Sequence, residues 1–200
     1  GDAFGHHRVD ANLTAFYLLD ACGHGVGAAL LSVSALNLLR SQSLVDTEFD
    51  NPADVLHELN RRFPMEAHGG QYFTAWYGVF DRRDRSLTFA SAGHPPAYVL
   101  AENAHPVGLR TRGTPIGCLP NARYENSRTT LPPGAHLLLI SDGVFELRKP
   151  DGAPFTLSDF ERELSRHRWI DPGQILTWAR IQNGSDALDD DFSVLRATLV

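Results

Sequence analysis

Aspartates recur in this chain where an apolar run ends beside glycine or another small residue. Asp20 stops such a run in 18-LLDACGHGVGAALL-31, and a turn carrying Gly23, Gly25 and Gly27 follows at once. Asp142 does the same in 138-LLISDGVFEL-147, where Gly143 comes next. Asp189, Asp190 and Asp191 stand together before the last apolar segment, and Asp2 lies between Gly1 and Ala3. Carboxylates at strand ends are held on a rigid scaffold, and glycine lets backbone approach a ligand. Several converging carboxylates repel one another and resist ionising unless a cation compensates. An all-oxygen set suits Mg²⁺ or Mn²⁺, whereas zinc would call for histidine or thiolate. Two such ions ~3.5–4 Å apart can activate a water and neutralise a phosphoryl group in line with it. Taken singly, each aspartate reads equally well as a turn residue or helix cap. Convergence decides between the readings.

The elements that would position these groups follow from periodicity and turn signals. Residues 13–21 (LTAFYLLDA) read as a strand, too short for a helix before the glycines. From Gly25 to about Gln42 the pattern is a helix apolar around most of its circumference, expected to be buried against a sheet. Asn51-Pro52 opens a second helix reaching about Phe63. Residues 72–81 and 86–93 flank the polar turn RRDR and predict a hairpin; 96–101 and 136–143 predict further strands. Ser158 and Glu161 have the spacing of a capping box ahead of FERELSRHR. Asp171-Pro172 starts another helix that Asn183-Gly184 closes, and 192–200 finish the chain as a strand. Hairpin-like strands with grouped helices favour α+β with largely antiparallel sheets over alternating βαβ. Two sheets with helices outside is the expected architecture.

Composition bounds the function. The chain has 200 residues, long enough for one sizeable core, with 42% hydrophobic and 21% charged residues, so it reads as a single globular domain. The net charge of −6 argues against a nucleic-acid binder, which would show a basic face. No apolar run approaches the ~20 residues of a membrane helix. Cys22 and Cys118 cannot build a disulfide framework, so a reducing, cytoplasmic setting is expected, with Cys22 a small packing residue.

Five segments in order, LDACGHGVGAALL, 91-SAGHPPAYVL-100, 114-TPIG-117, 137-LLLISDGVFEL-147 and 189-DDDFSVL-195, resemble successive motifs of bacterial PPM phosphatases. These are protein phosphatase 2C-like serine/threonine phosphatases of the SpoIIE-type sporulation and stress-response branch. The resemblance runs over essentially the whole chain. It implies a two-sheet β-sandwich flanked by helices, and two Mn²⁺ or Mg²⁺ ions. Asp2 would contact or bridge the ions, Asp20 would bind one with the Ala21 carbonyl beside it, and Asp142 and Asp190 would complete the set. Gly23, Gly25, Gly143 and Asp191 would support it. The family usually has a strand upstream of its Gly-Asp motif, which this chain lacks, so Asp2 is expected near a frayed terminus and the chain to be a fragment of a sensor- or receiver-fused protein.

The implied reaction is hydrolysis of phosphoserine or phosphothreonine by a metal-activated water, with no phospho-enzyme. The implied substrate is a bacterial signalling protein such as a phosphorylated anti-sigma-factor antagonist, and the implied partners are an N-terminal regulatory domain and, in a homodimer, a second copy. Rival readings are a phosphatase-like adaptor without turnover and a metal-dependent phosphodiesterase or small-molecule phosphatase. His24, four residues after Asp20, could protonate the leaving serine oxygen or instead cap the following helix. His94 reads as a turn-ordering residue and the His6-His7 pair as solvated.

Overall fold

The computed structural model describes every residue except 24, 103, 149–152, 168–170, 189 and 200. The chain divides into two compact units, the first comprising Gly1–Pro96 and Leu109–Leu131, the second Ala97–Gly108 and Pro132–Val200.

The first unit is built on an antiparallel sheet. Its strands are β1 (Asp2–Arg8), β2 (Leu13–Ala21), β3 (Phe73–Asp81), β4 (Ser86–Ala92) and β7 (Ser127–Thr130), in the order β1-β2-β3-β4-β7. The β3–β4 hairpin turns through Arg82–Arg85, where Arg85 takes φ 57° and Asp81 holds Arg83 at 2.6 Å. Helices α1 (Val26–Arg40) and α2 (Pro52–Arg62) pack on this sheet, α1 against β1 and β2, α2 against β3 and β4. Alternation along β2 sends Ala15, Tyr17, Leu19 and Ala21 into the core beneath them, where they meet Leu31, Leu39, Leu56 and Leu59. The helix predicted at Asn51-Pro52 forms as expected, with the Asn51 side chain accepting from the Asp54 N–H.

Helix α1 departs from expectation. Its apolar circumference predicted full burial, but Val26 is 78% and Leu30 62% exposed, while Ala28, Leu31, Ala35 and Leu39 are buried. A helix lying on one sheet face buries one stripe, and the rest of its surface stays open whatever its composition.

The second sheet has β5 (Ala97–Leu100), β6 (Val107–Leu109), β8 (His136–Ile140) and β9 (Val194–Thr198), in the order β6-β5-β8-β9, and lies in the second unit except for Leu109 at the end of β6. Helices α3 (Leu157–His167) and α4 (Pro172–Asn183) contribute Phe160, Leu164, Ile175 and Trp178 to a core shared with Tyr98, Leu138 and Ile140. Asp171 caps α4 through the Gly173 N–H at 2.9 Å, and Gly184 closes it at φ 66°, as read from the sequence. The cap of α3 is corrected. Thr156 and Asp159, not Ser158 and Glu161, form the reciprocal box: Asp159 N–H donates to the Thr156 hydroxyl (3.2 Å) and the Asp159 carboxylate accepts from the Thr156 N–H (3.0 Å). Ser158 already lies inside the helix. Among the described residues, two antiparallel sheets and four helices make the α+β class expected from the sequence.

Candidate metal centre

In the first unit the strand ladder places two of the expected carboxylates opposite each other. Register pairs Asp2 with Asp20 on adjacent antiparallel strands, a pairing that holds Cα atoms ~4.5–5.5 Å apart with both side chains on one face. Their neighbours Ala3 and Leu19 face the core under α1, so the two aspartates project from the other face of the sheet. Both Asp2 carboxylate oxygens are shielded from solvent. Asp2 is therefore not on a frayed end. Ala21 N–H donates to the Gly1 carbonyl at 3.4 Å, the buried Ser32 hydroxyl donates to the same carbonyl, and β1 runs on from Asp2. A side chain at position 1 would collide with the Ala21 carbonyl, so only glycine fits there.

The turn after Asp20 needs its glycines for conformation. Gly23 sits at φ 88° and Gly25, the N-cap of α1, at φ 96°, values L side chains rarely adopt. Across the ladder from Asp20 stands Thr74, whose hydroxyl hydrogen-bonds the buried His94 Nδ1 at 2.8 Å. His94 thus orders this edge, as the sequence suggested. The His6-His7 pair is not simply solvated. His7 is half-buried against Tyr17, Tyr77 and Phe49, and burial first, then the neighbouring His6 charge, pulls its pKa down to about 4.

In the second unit a turn and a serine build the other set. Strand β8 ends at Ile140, and Asp142–Val144 make a single 3₁₀ turn. Wholly buried Ser141 joins this turn to the start of β9. Its hydroxyl donates to the Asp191 carbonyl (3.2 Å) and accepts from Ser193 N–H (2.9 Å), and its N–H donates to the Ser193 carbonyl (3.0 Å). Gly143 lies directly on the backbone of Asp190 and Asp191, where a Cβ would overlap the Asp191 carbonyl. Asp191 N–H donates to Asp190 Oδ1 at 2.7 Å and fixes that carboxylate. Glu146 N–H donates to the Asp142 carbonyl at 2.8 Å, which brings Glu146 round one turn.

The outcome is three carboxylates, Asp142, Glu146 and Asp190, each offering an oxygen within 4.8 Å of the others. At that separation each pair repels by about 1 kcal/mol in bulk water and several-fold more near a protein surface. A hard divalent cation relieves this and finds the oxygen donors it prefers. Mn²⁺ or Mg²⁺ therefore fits the donor set. Glu146 is the member sequence reading missed, although its position four residues after Asp142 was a usable signal. His24 and Asp189 lie outside the described residues. Cys22 is an exposed free thiol rather than a packing residue. No helix among the described residues is long and apolar enough to cross a membrane.

The family profile described as stage II sporulation protein E (SpoIIE) matches residues 10–200. The chain belongs to the SpoIIE family. Among characterised relatives, it is similar to the phosphoserine phosphatases RsbP (29% identity over 150 residues, 73% of this chain and 36% of that protein) and RsbU (27% over 155 residues, 76% and 44%) of Bacillus subtilis. It thus spans less than half the length of either. Among solved structures, the SiaA PP2C domain of Pseudomonas aeruginosa superposes with TM-score 0.83 at 23% identity, over 98% of this chain and 80% of that one. The PP2C phosphatase domain of SpoIIE from Bacillus subtilis gives 0.79 at 21%, over 98% and 57%. The SpoIIE-family chain therefore has the PP2C phosphatase fold, the resemblance its motifs carried.

Proposed function

We propose that this chain is the catalytic part of a metal-dependent phosphoprotein phosphatase acting on phosphoserine or phosphothreonine. The observation that carries the reading is the meeting of Asp142, Glu146 and Asp190 within 4.8 Å on backbone shaped by Gly143 and Ser141. The similar phosphoserine phosphatases RsbP and RsbU support it. Asp142, Glu146 and Asp190 in the second unit are proposed ligands for Mn²⁺ or Mg²⁺; Asp2, Asp20 and the Ala21 carbonyl in the first unit are proposed as ligands by the family resemblance, which implies two ions. When bound, such ions lower the pKa of water and offset charge on the phosphoryl group. The chain's own part is to hold the carboxylates in place, Asp190 through the Asp191 N–H and Asp142 through the 3₁₀ turn. The substrate is proposed to be a phosphorylated bacterial signalling protein such as an anti-sigma-factor antagonist, met in the cytoplasm, with a regulatory domain elsewhere in the parent chain and a homodimer as the assembly.

The test is phosphate release from a phosphoserine protein with and without Mn²⁺, alongside calorimetric Mn²⁺ titration for affinity and stoichiometry. Turnover should require the metal, and Asp142→Asn should lower it by about 10³-fold, the scale of losing one preorganised electrostatic group. A folded protein silent with every divalent metal would leave the adaptor reading in its place.

A further inference from the structure

Beside the carboxylate cluster the second unit holds an open cavity of about 530 Å³ that the phosphatase reading does not use. Among the described residues its walls come from Phe145–Arg148 and Pro154–Leu157. Its lining mixes apolar and polar surface: Phe145 and Leu157 are half-buried beside it, Leu147 and Phe155 are buried in the core behind it, and Glu146 and Arg148 are exposed. The volume falls in the ~300–1,000 Å³ range of ligand pockets.

The concavity is built rather than left over. Phe155 N–H donates to the Leu147 carbonyl at 2.9 Å and a bridge pairs Arg148 with Pro154, so the two walls are rungs of one short ladder. Phe155 is buried and meets Trp178 of α4 edge-on at 5.1 Å. The far wall is pinned by the Thr156–Asp159 box that starts α3.

Glu146 belongs to both features, since its carboxylate joins Asp142 and Asp190 while its residue lines the cavity. A phosphoserine whose phosphoryl group is bound at the cluster is thus within one side chain of the cavity. Successive residues of an extended peptide advance ~3.3–3.6 Å each, so the residue adjoining the phosphoserine reaches it.

We infer that this cavity is a specificity pocket for an apolar side chain next to the phosphoserine of the protein substrate. The inference rests on the phosphatase reading and deepens it. The apolar part of the lining rewards burial of a Leu-like side chain, and a polar one there would leave its hydrogen-bonding groups unpaired. The pocket adds discrimination among phosphoproteins that the metal cluster, which meets only the phosphoryl group, cannot supply.

The test uses two phosphoserine peptides identical except that the residues flanking the phosphoserine are Leu in one and Asn in the other. Hydrolysis of p-nitrophenyl phosphate, which has no flanking residue, is measured alongside. The expected result is a kcat/KM about tenfold higher for the Leu peptide, falling to a ratio near one in Leu157→Glu. Equal kcat/KM for the two peptides, with p-nitrophenyl phosphate still hydrolysed, overturns the pocket and leaves the phosphatase reading standing. An undiminished preference in Leu157→Glu places the discrimination elsewhere and overturns the pocket too. Failure to hydrolyse p-nitrophenyl phosphate with any divalent metal removes both readings. A wild-type ratio near one overturns the pocket even where the variant does not fold, and where Leu157→Glu does not fold, Phe145→Glu takes its place in the comparison.

Discussion

Asp2 and Asp20 sit opposite one another on a continuous antiparallel ladder, whereas Asp142, Glu146 and Asp190 hang from turns where strands end. In the first unit, side-chain position follows from register, and seven consecutive β1–β2 partners from Asp2–Asp20 to Arg8–Thr14 define it. Moving one aspartate means slipping a strand, which would turn every core residue outward. In the second unit, position depends on single contacts: one buried serine, one glycine without room for a Cβ, and one N–H fixing one carboxylate. The first set is held cooperatively and the second locally. Point substitutions beside the second set should therefore move ligands, with at most a local cost in stability, while those beside the first should register as stability alone.

Three measurements would break or sharpen that contrast. The largest effect is expected at Gly143→Ala, whose Cβ would push the Asp190–Asp191 backbone away. Mn²⁺ affinity by calorimetry should drop about 10–100-fold, the scale typical when groups supporting metal ligands are disturbed, with little change in melting temperature. Unchanged affinity would mean that the turn does not set the ligand geometry.

Next comes Ser141→Ala, which leaves the Ser193 N–H without its hydroxyl acceptor at a wholly buried position. Urea unfolding should show a loss of about 1–3 kcal/mol, the cost of a buried polar group left unmade, together with weaker Mn²⁺ binding. Loss of stability with full Mn²⁺ affinity would separate the staple from the metal centre.

The smallest effect belongs to the first unit and is read by pH. His7 titrates near 4 when folded against 6.5 for the ordinary side chain, because burial between Tyr17 and Tyr77 disfavours its charge. The unfolded chain then binds the extra proton first, so the contribution of neutral His7 is complete above pH 6.5 and is lost as pH falls toward 4. Since His7 is only half-buried, solvent screening trims this to roughly 1–2 kcal/mol. Comparing wild type with His7→Phe across that window checks it, and identical slopes would remove the assignment.

How much of this was legible depended on how local each determinant was. Strands β2 and β8 announce themselves as apolar runs that stop at an aspartate and glycine, and α2 and α4 carry Asn51-Pro52 and Asp171-Pro172 at their starts. Strand β1 was not read as one, because Gly5, His6, His7 and Arg8 make no strand pattern; pairing with β2 makes it a strand. Strands β6 and β7, with three and four residues, were too short to show a period. At α3, two overlapping boxes satisfied the same spacing rule, and the earlier one won because Phe155 is already held by Leu147, fixing where the helix can begin.

The candidate site divides along the same line. Asp2, Asp20, Asp142 and Asp190 were nameable from their small-residue surroundings and their order along the chain, and the sequence by itself carried the family and the oxygen-ligand chemistry. Residue type decides which cation a carboxylate favours, and residue type is fully local. The tertiary structure alone decided that Glu146 joins Asp142 and Asp190, that Asp2 is locked in a ladder, and that a cavity opens beside the cluster. The cluster and the ladder depend on residues well separated along the chain, which only the folded backbone brings together, and the cavity on the pairing that folds Pro154 and Phe155 back onto Leu147 and Arg148.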